Sequence, residues 1–152
     1  MKRVKAALHD ILTLDVSTKK LALACAIGIW IGFSPYLGLH TLMAVLASSI
    51  LRLPIYPILI GAHTVNPFTI PFIYTFTTAV GSTLLGTDLN INLQWDNITL
   101  KELWETQKSL LLPFWLGTHV VGAALSIFTY PIVYYIVRGY RRENSESNLW
   151  QR

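Results

Sequence analysis

Three stretches of this chain, 21–51, 53–87 and 109–137, contain no Asp, Glu, Lys or Arg. Each is longer than the ~20 residues that cross a bilayer as a helix. Charged residues make up 13% of the 152 positions, against roughly 25% in soluble domains. Three such runs leave too little polar surface to enclose them in water. In hydrocarbon every backbone N–H and C=O must be satisfied internally, which selects helices. The sequence therefore predicts an all-α integral membrane protein.

Two of the runs are interrupted where a membrane helix would be expected. The first break reads Gly32-Phe33-Ser34-Pro35-Tyr36-Leu37-Gly38-Leu39-His40-Thr41, the second Gly61-Ala62-His63-Thr64-Val65-Asn66-Pro67-Phe68-Thr69-Ile70-Pro71. Broken backbone at membrane depth is tolerated only when buried in protein or lining a wet cavity. Residues 21–33 give about 20 Å of helix at 1.5 Å per residue, short of the ~30 Å hydrocarbon core. With 39–53 they read as a re-entrant helical hairpin, 21–53, tipped near Pro35. Residues 55–87 are too long for one straight span and read as a crossing broken at Asn66-Pro67, because proline removes a donor and disfavours helix at the residue before it. Thr75, Thr77, Thr78, Ala79, Gly81 and Ser82 supply small and hydroxyl side chains that permit close helix contact. Residues 109–137 form a second crossing.

The +4 net charge is concentrated at the ends. Lys2, Arg3, Lys5, Lys19 and Lys20 precede the first run; Arg138, Arg141, Arg142 and Arg152 follow the last. Basic flanks mark the cytoplasmic side, so both termini are placed in the cytoplasm of a bacterial inner membrane, and nucleic-acid binding is set aside. Residues 88–108 carry Asp88, Asp96, Glu102 and Glu105 against Lys101 and Lys108 and are placed outside. A hairpin at 21–53 followed by crossings at 55–87 and 109–137 satisfies that count and keeps Arg52 inside. Residues 1–20, with Val4, Ala7, Leu8, Ile11 and Leu12 at helical spacing, predict an amphipathic interfacial helix. Thr99-Leu100-Lys101-Glu102 has the form of a capping box, which starts a helix near Leu100. Residues 138–152 read as a basic, then polar cytoplasmic tail, disordered from Glu143. Cys25 is the single cysteine, so no intrachain disulfide forms.

Candidate site residues follow from the breaks. His40, His63 and His119 lie in charge-free runs, each two positions after a glycine. Histidine at membrane depth faces the protein interior or a cavity. Three could hold a divalent metal, relay protons or bond a phosphate; each could equally bond a neighbouring carbonyl. No cysteine or intramembrane carboxylate supports a metal, so none is assigned, and no cofactor is implied. Ser34, Pro35, Gly38, Thr41, Asn66, Pro67 and Thr69 line the breaks, where half-helix ends favour ions; Ser34 and Asn66 could also simply cap short helices. There is no Gly-x-Ser-x-Gly, phosphate loop or His-Glu-x-x-His, and an enzyme is not expected.

Gly32-Phe33-Ser34-Pro35, Gly38, His40-Thr41, Arg52-Leu53 and Asn66-Pro67-x-Thr69-x-Pro71 together resemble the bacterial domain-of-unknown-function 2062 family over roughly residues 15–137. The resemblance implies a multi-spanning bacterial membrane protein, sometimes joined to a glycosyltransferase domain, with no established activity. The expectation is a small transporter or lipid-headgroup-handling protein, with an anionic small molecule or headgroup at the broken helices. The alternative is a non-transporting membrane subunit that binds a partner envelope enzyme. Two crossings cannot easily surround a polar hairpin, so a homo-oligomer or a membrane partner is expected besides the lipid bilayer.

Overall fold

The structure is a computed structural model. It describes residues 16–36, 38–65, 68–87 and 100–149, with side chains at 109–142 of the last stretch. The described residues form five helices and no strand: α1 (Thr18–Phe33), α2 (His40–Leu51), α3 (Ile55–Ala62), α4 (Ile70–Leu85) and α5 (Leu100–Leu149). The expected N-terminal amphipathic helix and most of the acidic segment lie outside the described residues.

Local chemistry sets the helix ends. Ser17 caps α1, its hydroxyl accepting from the Lys20 N–H at 3.4 Å. The helix stops at Phe33 because Ser34 precedes Pro35 and is held extended, φ −67° and ψ 149°, as the proline ring requires. Gly38, at φ +83°, adopts the left-handed conformation that lets the chain reverse into α2. Arg52 ends α2 in a left-handed turn, clamped by Ser48: the Leu53 N–H donates to the Ser48 carbonyl at 3.1 Å, and the Ser48 hydroxyl to the Leu53 carbonyl at 2.7 Å. Pro71 lies in the first turn of α4 and Gly86 closes it, the usual asymmetry of helix ends.

Helix α5 departs from the sequence reading. Its described part starts at Leu100 and runs unbroken for 50 residues through Pro113 and Pro131; Thr99 of the expected capping box lies outside the described residues. Residues 100–108 and the apolar stretch after them are thus one rod, and residues 143–149, read as disordered, are helical. Extending an existing helix carries no nucleation cost.

The remaining helices pack on this rod. Gly122 of α5 sits against Trp30 and Phe33 of α1, its Cβ position 3.0 Å from the Phe33 Cβ. Nearer the other end, the Arg141 guanidinium donates to the Val16 carbonyl at 2.7 Å. So α1 and α5 are antiparallel, and the start of α1 and the end of the apolar stretch of α5 share one end of the molecule. Helix α3 runs parallel to α1 at backbone contact: a Cβ on Gly28 would lie 2.5 Å from the Ile58 carbonyl oxygen, and one on Gly61 2.7 Å from the Gly28 carbonyl carbon. Helix α4 crosses α5 as closely, since a Cβ on Gly81 would overlap the Pro113 carbonyl oxygen and one on Gly117 the Thr77 carbonyl oxygen. Small residues at helix crossings allow this approach. The small and hydroxyl residues of 75–82 are therefore partly used internally: Thr77, Gly81 and Ser82 are buried, while Thr75 and Ala79 are exposed.

Among the described residues one buried cluster holds Ala24, Ile31, Ala44, Leu53, Ile58 and Ala62, with Ile27, Met43, Ala47 and Leu59 beside them; Leu21, Ala22, Ala26 and Val137 are buried as well. Most large apolar side chains face outward, Phe68 at 88% and Ile127 at 71% exposure among them. One helix, Ser109–Arg142, is long and apolar enough to cross a membrane, and only 11% of its most apolar window is buried.

Candidate functional site

The first break, 34–39, forms the tip of the α1–α2 hairpin. It lies beside α5 near His119, because the last turn of α1, Trp30 to Phe33, meets Gly122 of α5. Ser34 is buried and bonded locally: its hydroxyl donates to the Ile31 carbonyl at 2.6 Å and lies 4.0 Å from the Met43 sulfur. His40 donates from Nε2 to the Ser34 carbonyl at 3.2 Å, tying the start of α2 to the end of α1. Pro35 is half-buried, and Gly38 and Thr41 are exposed.

The second break contributes less. Helix α3 ends at the level of Gly32, whose Cβ position lies 2.8 Å from the Gly61 carbonyl oxygen. His63 turns back on its own helix, Nδ1 donating to the Leu59 carbonyl at 2.9 Å, and is exposed. Thr69 caps α4 from the backbone, with no side-chain cap bond. Asn66 and Pro67 lie outside the described residues. The three histidines therefore divide: His40 and His63 bond backbone carbonyls, while His119 stands apart. Among the described residues no group of His, Cys, Asp or Glu could hold a metal ion.

His119 projects from α5 into an aromatic cluster. Ring centroids of Trp115, Tyr36 and Trp30 lie 4.5, 5.8 and 6.4 Å from the imidazole. The Trp115 indole N–H donates to the Tyr36 hydroxyl at 3.1 Å, linking α5 to the hairpin tip. His119 Nδ1 is buried and makes no hydrogen bond among the described residues. Such orphans are few in folded proteins, and each calls for an explanation.

Beside His119 is a cavity of about 330 Å³. Its walls are Ile27, Trp30 and Ile31 from α1, Ser34 and Tyr36 from the turn, and Met43, Ala47 and Leu51 from α2. On the other side of Tyr36 a shallower groove of about 460 Å³ runs between Pro35 and Leu111, Leu112, Phe114 and Trp115 of α5. Among the described residues, neither lining contains Lys, Arg, Asp or Glu. Of the expected site residues, Ser34 and His119 line the cavity and Pro35 the groove, and His40 bonds Ser34. The aromatic ring of residues around His119 was missed by the sequence reading. A signal was present, since Trp30 and Tyr36 lie inside a charge-free run rather than at its ends, where interfacial aromatics belong.

No curated protein and no solved structure matches the chain. One family profile covers residues 1–146, that of domain of unknown function 2062, described as an uncharacterised protein conserved in bacteria. The chain belongs to that family.

Proposed function

We propose that the chain is an integral protein of the bacterial inner membrane that binds a lipid in the cavity between its helical hairpin and α5. The observation that carries this reading is the position of the cavity. It lies partway along the helix able to cross a membrane, and outward-facing Leu39, Leu42 and Leu46 belong to the same hairpin. An apolar hole that opens among lipid-facing side chains is filled by lipid. A small-solute transporter fits less well, because the walls supply few polar groups for a hydrated substrate. The hairpin is read as re-entrant, with both ends of the chain cytoplasmic. A catalytic role is not part of the reading.

Protein purified in mild detergent is expected to retain lipid detectable by mass spectrometry of its organic extract. Ala47→Phe, which fills the cavity from the α2 wall, is expected to remove most of that lipid while the melting temperature stays within a few degrees. Full retention by a folded Ala47→Phe protein would sink the reading.

The outward aromatic face of α4, with Phe72 and Phe76 at 77% and 61% exposure, favours a second copy of the chain as neighbour. Native mass measurement in lipid nanodiscs is expected to give a dimer or larger. A uniform monomer would argue instead that lipid alone covers this face.

A further inference from the structure

We infer that the cavity takes a neutral single-chain lipid whose head carries a carbonyl or hydroxyl oxygen, and that His119 donates a hydrogen bond to that oxygen from Nε2. This rests on the lipid-binding reading above and specifies its ligand.

The polar end of the ligand belongs at His119. A hydrocarbon chain there would leave the imidazole beside apolar atoms without a partner, a costly arrangement. The opposite wall offers a chain the better bed: Met43, Ala47 and Leu51 recur every four residues and so line one face of α2, about 12 Å long at 1.5 Å per residue.

The direction of the hydrogen bond follows from the orphaned nitrogen. Nδ1 is closed off without a partner among the described residues, so a ligand reaches this ring only through Nε2. A buried N–H without an acceptor is rarer than a bare acceptor, which places the proton on Nε2. The ligand atom that meets it is an acceptor.

Charge selects against an anionic head at this end. Among the described residues, no Lys or Arg lines the cavity. The nearest in sequence is Arg52, at the far end of α2 from the tip and exposed. A phosphate beside His119 would be an unpaired charge in an apolar site. Three aromatic rings at 4.5 to 6.4 Å from the imidazole favour a flat head, which stacks or meets ring edges. A quinone and a fatty alcohol share the required acceptor chemistry, and the experiment separates them.

The test uses the full chain in nanodiscs with four ten-carbon probes: a decyl benzoquinone, decanol, decyl phosphate and decane. Quinone binding is read by quenching of tryptophan fluorescence, and the others by competition. Quinone is expected to bind, decanol to compete, and decane and decyl phosphate to compete at least tenfold more weakly than decanol. Decanol within about threefold of the quinone would identify the head as any acceptor; a larger gap would identify a flat carbonyl ring. His119→Leu is expected to weaken the quinone by about five- to tenfold, the loss of one hydrogen bond. His119→Gln, whose amide N–H reaches the region of Nε2, should stay within threefold of wild type. Decane matching decanol, decyl phosphate binding best, or an unchanged His119→Leu would each overturn the inference. Selectivity is read on the wild-type chain, so it decides the matter even if a variant does not fold. Loss of lipid from Ala47→Phe without head-group selectivity would overturn this inference alone. A wild-type chain that binds no lipid would overturn the parent reading as well.

Discussion

Gly117→Ala is expected to lower the melting temperature by about 10 °C, whereas Gly139→Ala, the same change in the same helix, should leave it unchanged or raise it slightly. A Cβ on Gly117 would overlap the Thr77 carbonyl oxygen of α4. That neighbour is backbone, so the two helices must separate. Thr77, Thr118 and Pro113 at the crossing are buried, and their contacts go with it. Overpacking of this kind costs about 3 kcal/mol at the upper end of its usual range, which converts to roughly 10 °C for a chain of this size. Gly139 has nothing within 4 Å of its Cβ position and an ordinary negative φ, so alanine there gains about 0.5–1 kcal/mol of helix propensity. The check is thermal unfolding with size-exclusion chromatography in one detergent. Equal melting temperatures for the two variants would mean that α4 and α5 do not meet at these glycines.

The helix ends were legible because they depend on neighbours in sequence. Ser34-Pro35 stops α1, Gly38 reverses the chain, and Arg52-Leu53-Pro54 ends α2. The length of α5 was not legible. The change from polar to apolar residues at Ser109 and back at Arg138 marks a change of surroundings, and nothing there interrupts the backbone. The glycine contacts were half legible. Gly81 read as a small residue suited to close packing, but its partner is fixed only by which runs face each other, which no local pattern states.

The site was legible in its polar atoms and not in its walls. Ser34 and His119 stood out as polar groups inside apolar runs, and both line the cavity. His40 and His63 stood out for the same reason, yet they bond the Ser34 and Leu59 carbonyls. Regular spacing after glycines could not separate these cases, because each depends on whether a free carbonyl happens to lie within reach. Trp30, Tyr36 and Trp115 come from three separate elements, and only the antiparallel register of α1 and α5 brings them to one imidazole.

In a chain whose Cys25 is replaced by alanine, single cysteines are expected to report three compartments. Thr87→Cys should react with an impermeant thiol reagent in intact cells. Arg52→Cys and Arg142→Cys should react only in inside-out vesicles, and Leu39→Cys, at the hairpin tip, from neither side. The Arg141–Val16 hydrogen bond holds the start of α1 and the end of the apolar stretch of α5 at one end of the molecule, and the proposed topology puts that end in the cytoplasm because it is basic. The depth of the tip follows from α5. From Arg138 to His119 the helix rises about 28 Å, and from His119 to Ser109 about 15 Å more. If the membrane ended at the tip, Leu111 and Leu112, each 60% exposed, would stand in water with Leu84 of α4. The combined rise exceeds the ~30 Å hydrocarbon core, but burying such a side chain is worth roughly 1.5–3 kcal/mol, so the proposed topology draws the bilayer past the tip, with α5 tilted, and Leu39 is expected to stay in hydrocarbon or protein. A hairpin that crossed outright would instead label Leu39→Cys from outside as fast as Thr87→Cys. Outside labelling of Arg52→Cys would reverse the hairpin altogether, placing an arginine on the wrong side of a core whose crossing costs about 2.5–3.5 kcal/mol or more.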